Sequence, residues 1–160
     1  MAFTSRSPGE ATVVKDIRRI LEFLEFFRSD LDWIVTNLKE QQSLFFPQAP
    51  PYLPGAWAEI RPRLRTLAQS LVDQGAGARE SLQEAGLTRA MLQAKMLAVS
   101  IHREKWYNMR RSTASARHRA EALRGYATSV DPIFSALSAS STDAKGLHDF
   151  IKSFVVLIRT

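Results

Sequence analysis

VVKDIRRILEFLEFFRSDLDWIVTNL (residues 13–38) decides the fold. Val13, Ile17, Ile20, Leu24, Phe27, Leu31, Ile34 and Leu38 recur at alternating steps of four and three, the period of one helix face, and Val14, Leu21 and Val35 widen the stripe. The pattern predicts one long amphipathic helix over about 9–46, with Ser7 as its N-cap ahead of Pro8. PQAPPYLPG (47–55) carries Pro47, Pro50, Pro51 and Pro54 and reads as an extended, proline-rich linker.

Downstream, Trp57, Ile60, Leu64, Leu67 and Leu71 mark a second helix that Pro62 kinks or delays, and Gly75-Ala76-Gly77 ends it. After a short helical segment near Leu82, periodicity without a strong breaker predicts a second long helix over about 88–123. Val130, Phe134 and Leu137 extend the pattern past a kink at Pro132. SASSTD then marks a loop whose Ser141, Thr142 or Asp143 caps a last helix carrying Leu147, Phe150, Ile151, Phe154, Val155 and Ile158. Nothing alternates with the period of two that a strand needs. The expectation is an all-α, up-and-down bundle of four or five helices with two long ones, forming a single domain over 1–160.

A chain of 160 residues with 45% hydrophobic and 24% charged residues is long enough to bury a core unaided, and its composition excludes disordered and fibrous classes. The absence of cysteine removes disulfides and thiolate sites together and suits a reducing compartment. MAFTSRSPGEATVV has no secretory h-region, and the most apolar run, 150–158, is interrupted by Lys152 and too short for a bilayer. An intracellular protein, in cytoplasm or organelle matrix and not secreted, is therefore expected, without a membrane partner.

The net charge of +6 is localised. Seven cations (Arg103, Lys105, Arg110, Arg111, Arg117, Arg119, Arg124) against Glu104 and Glu121 leave +5 between residues 101 and 124. Arg103, Arg110, Arg117 and Arg124 are spaced by seven, so one continuous helix would align them with Trp106 in a stripe about 32 Å long. Such a stripe suits RNA or DNA phosphates or an acidic protein partner. Its bland counterpart is a helical seam in which the arginines pair with Glu25 and Asp32.

A second signal lies on the first helix, where Phe26 and Trp33, with Leu44 roughly in line, project opposite the Ile17 and Leu24 stripe. A helix apolar on two sides either sits inside the bundle, covered by the C-terminal helix, or offers aromatic anchors to a protein partner. Binding a protein partner through Phe26, Trp33 and Leu44 is the leading functional expectation, and nucleic-acid binding through the arginines is the alternative.

Weaker patterns remain. Arg111 and His118 resemble the arginine and histidine pair of HEPN-type helical ribonucleases, which would imply phosphate stabilisation and proton transfer. Ser112 stands where that family carries Asn, Asp or His. LQEAGLTRAMLQAKM resembles a helix-turn-helix, although Ser81 and Lys95 fall at apolar positions of that motif. The PxxP spacings at 47–50 and 51–54 would suit a proline-reading domain but serve equally as a linker. His102, His118 and His148 form no HExxH, and no glycine-rich phosphate loop or nucleophile context occurs. No catalytic residue, metal site, cofactor or small-molecule ligand is expected.

Overall fold

The structure, a computed structural model, describes residues 8–47 and 51–159. It is all-helical, and no strand occurs among the described residues. Among the described residues eight helices follow one another: α1 (Pro8–Thr36), α2 (Leu38–Phe45), α3 (Leu53–Gln74), α4 (Ala76–Glu84), α5 (Arg89–Met109), α6 (Ala116–Ser129), α7 (Asp131–Ser138) and α8 (Thr142–Leu157). The expected count of four or five is exceeded because both long rods are divided and because the short segment near Leu82 and the stretch past Val130 form helices of their own, α4 and α7.

The first rod bends at Asn37, whose Nδ2 donates to the Trp33 carbonyl at 2.8 Å and competes with the regular ladder. The second ends at Met109, and α6 begins six residues after that turn starts. Hydroxyls make the break. Ser112 Oγ donates to the Met109 carbonyl at 3.0 Å and accepts from Ala114 N–H, and Ser115 caps α6 by accepting from His118 N–H at 3.2 Å. The chain reverses there, so α5 and α6 pack as an antiparallel pair. At their close approach a Cβ on Gly125 would stand 3.0 Å from His102 Nδ1.

Other boundaries follow local chemistry. Pro54 falls in the first turn of α3, where a missing N–H costs nothing, so the helix starts inside the expected linker. Residues 48–50 of that linker, and the expected cap Ser7, lie outside the described residues. α3 runs through Pro62 and stops at Gly75, whose φ of 52° lies in the left-handed region. Thr88 caps α5 and Ser141 caps α8.

The buried apolar residues form one cluster fed by all eight helices. Along α1, Ile17, Ile20, Leu24, Phe27, Leu31 and Ile34 are buried as their periodicity predicts. α1 packs on α3, α4 and α5; α8 packs on α3, α6 and α7; and α2 lies on α6. Phe23, Phe27, Phe134 and Tyr126 stack at centroid separations of 5.4 to 6.1 Å in the centre. α5, rather than the C-terminal helix, covers the aromatic back of α1.

Candidate functional site

Phe26 and Trp33 meet Arg103, Trp106 and Arg110 along the seam where α5 lies against α1. The Arg103 guanidinium stands 4.7 Å from the Phe26 ring centre, and the Arg110 guanidinium 4.5 Å from that of Trp33. Trp33 also meets Trp106 edge-on at 6.0 Å. Each of these two rings of α1 is thus roofed by an arginine of α5, an arrangement worth about 0.5–2 kcal/mol per pair. Phe26, Trp33 and Leu44 are half-buried and pack on the core. Trp106, expected beside a phosphate, is 0% exposed and part of the core, stacked on Tyr126 at 5.5 Å.

The turn at 110–115 divides the arginines spaced by seven between two antiparallel helices, so they do not form one stripe. Their environments diverge. Arg103 grips the buried Asp30, donating from Nε at 2.6 Å and from Nη2 at 3.0 Å, while Tyr126 OH donates to the same carboxylate at 2.6 Å. The network ties α1, α5 and α6 to one point. The hydrogen bond to Asp30 raises the Arg103 pKa against the opposing effect of burial, and burial together with the Asp30 charge pushes the Tyr126 hydroxyl well above its usual value near 10. Arg117 is exposed and pairs with Glu121 at 3.2 Å, whereas Arg124 is half-buried.

Arg110 pairs with no carboxylate among the described residues and lies against three rings, Tyr107 at 3.8 Å, Trp33 at 4.5 Å and Trp106 at 5.6 Å. Arg111 stands 5.8 Å from the same Trp33 ring. Arg119 donates from Nη1 to the Ser112 carbonyl at 2.8 Å. Together with Asn37, Glu40, Gln41 and Leu44, these arginines line a cleft of about 390 Å³ beside the α5–α6 turn.

Glu25 and Asp32 do not take the α5 arginines. Both pair with Arg28, and Asp32 also accepts from Trp57 Nε1 at 2.7 Å and pairs with Arg61 at 3.0 Å. Sequence reading missed Asp30 and the equally buried Asp16, which pairs with Arg79 at 3.0 Å. A signal existed, because Asp16, Phe23 and Asp30 are spaced by seven on the buried side of α1, and a carboxylate in a core register requires a buried partner.

Of the weaker patterns, His118 Nδ1 lies 2.8 Å from Ser115 Oγ in the first turn of α6, while Arg111 faces Trp33. α4 and α5 do flank a turn at 85–88, with Gly86 at φ 89°. The outer face of α5 is nonetheless apolar rather than basic. Leu97 is 62% exposed and Ile101 58%, one turn apart, and the exposed Ala90 and Ala94 continue the line. Tyr107, 48% exposed, borders the seam. Among the described residues no cluster of His, Asp or Glu could hold a metal, and no helix is long and apolar enough to cross a membrane. No family model, curated protein or solved structure matches this chain.

Proposed function

We propose that the chain is a non-enzymatic, intracellular interaction module, one helical-bundle domain that binds a protein partner along α5 and its seam with α1. The observation that carries this reading is the second apolar face of α5: Leu97 and Ile101 stand out from a helix whose opposite side, Leu92, Val99 and Trp106, is fully buried. A helix apolar on both sides holds the bundle with one and is free to dock with the other. Phe26, Trp33 and Leu44 shape the rim of that surface from beneath the arginines. The fitting partner presents apolar side chains flanked by carboxylates, matching the positive charge along the seam.

The test is capture of partners from native lysate by the tagged chain, with and without nuclease, beside a Leu97→Asp/Ile101→Asp variant. A stoichiometric protein that survives nuclease and is lost with the variant supports the reading. Capture of RNA or DNA, with proteins lost after nuclease, overturns it in favour of the basic residues. Self-association of the pure chain, abolished by the same variant, would assign α5 to a second copy instead.

A further inference from the structure

We infer that the cleft beside the α5–α6 turn is a binding site for a phosphomonoester group, held by Arg110, Arg111 and Arg119. Three guanidiniums line this cleft against one carboxylate, Glu40, and none of the three has a carboxylate within ion-pairing distance among the described residues. Of the arginines spaced by seven on either side, Arg103 is neutralised by Asp30 and Arg117 by Glu121. Three guanidiniums without a carboxylate partner therefore share one concave place.

The guanidiniums are also held in position. Arg110 is stacked on Tyr107 and Trp33, which fixes its plane without using its N–H groups. Arg119 is anchored through Nη1 to the Ser112 carbonyl and keeps a buried Nε–H with no hydrogen-bond partner among the described residues. Each guanidinium offers five donors, so several remain for a ligand. A carboxylate has two oxygens and satisfies one such fork, whereas a phosphomonoester brings about two negative charges and three acceptor oxygens to a three-arginine site. Phosphodiesters fit less well, because a backbone needs a run of cations, and Arg103 and Arg117 are engaged with carboxylates.

Gln41 adds a second requirement. It is 5% exposed, lines the cleft, and leaves Oε1 unpaired. Phosphate oxygens do not fill that acceptor, whereas an N–H or O–H of the group that carries the phosphate does. A phosphoserine or phosphothreonine segment of a protein, whose peptide N–H groups are such donors, is the carrier assigned; that assignment rests on the partner reading above, whereas the phosphate site itself does not.

Calorimetric titration of the whole chain with four probes tests this: inorganic phosphate, O-phosphoserine, a phosphoserine peptide with its unphosphorylated twin, and an oligoribonucleotide with a 5′-hydroxyl end. The phosphopeptide is expected to bind saturably and its twin not to bind. Arg111→Gln, at an exposed residue that the fold does not need, should weaken binding about tenfold, and Arg117→Gln less than about twofold. Equal binding of phosphoserine and phosphopeptide would keep the site and transfer it to a small phosphorylated molecule. No saturable binding by any phosphomonoester, binding of the oligonucleotide as tight as the phosphopeptide's, or no effect of Arg111→Gln overturns the inference. None of these outcomes depends on Leu97 or Ile101, so the two proposals fail separately.

Discussion

Arg103 and Arg110 stand seven residues apart on α5, each with its guanidinium over an aromatic ring of α1, yet only Arg103 meets a carboxylate. The difference comes from α1, which places Asp30 in a core register between Phe27 and Leu31 and offers Trp33 but no acid two turns along from Phe26. At the Asp30 end the arginine closes a buried polar network and serves the fold. At the Trp33 end the same residue type is oriented but left electrically unanswered, which makes it available to a ligand. The same heptad of arginine thus gives one structural and one binding position, set entirely by what the opposing helix supplies.

That contrast can be broken most sharply at Arg103. Arg103→Met leaves Asp30 buried beside a lone tyrosine and should cost about 3 kcal/mol, lowering the melting temperature by about 10 °C in calorimetry. A loss below about 1 kcal/mol would show that the network contributes little. Tyr126→Phe should cost about 1–2 kcal/mol by removing one donor from the Asp30 carboxylate. The sign with pH follows from the raised hydroxyl pKa: its contribution is complete below the unfolded value near 10 and is lost as pH climbs from there towards the folded value. Melting temperatures of wild type and Tyr126→Phe should converge as pH rises above 10, and parallel curves would contradict the assignment. Arg110→Met should be the mildest, under about 1 kcal/mol, because only stacking is removed.

Much of the architecture is legible in residues 13–38, since burial follows the four-three spacing closely, and of the three residues expected to cap the last helix Ser141 does so. The division of the second rod is not. Periodicity counts apolar residues and is insensitive to three hydroxyls in four positions, yet Ser112 and Ser115 bond the backbone at the turn that brings α6 back along α5. Once the chain reverses, any alignment extrapolated across 110–115 is lost, and the arginine stripe with it. Sequence leaves the aromatic back of α1 either covered by the C-terminal helix or open to a partner, because it does not say which helix lies opposite; α5 lies there. Asp30 was overlooked for a related reason: its partners are 73 and 96 residues away, beyond the reach of local spacing.

Those separations bear on the order of events in folding. A carboxylate bridging residues 30, 103 and 126 gains its partners only after two long stretches of chain have been closed, and closure entropy is lost before any of the three hydrogen bonds returns it. The network therefore belongs to the downhill side of the barrier, formed after α1 has met its nearer neighbours. Its strength sets how slowly the native molecule opens, and leaves the rate of reaching the native state almost unchanged.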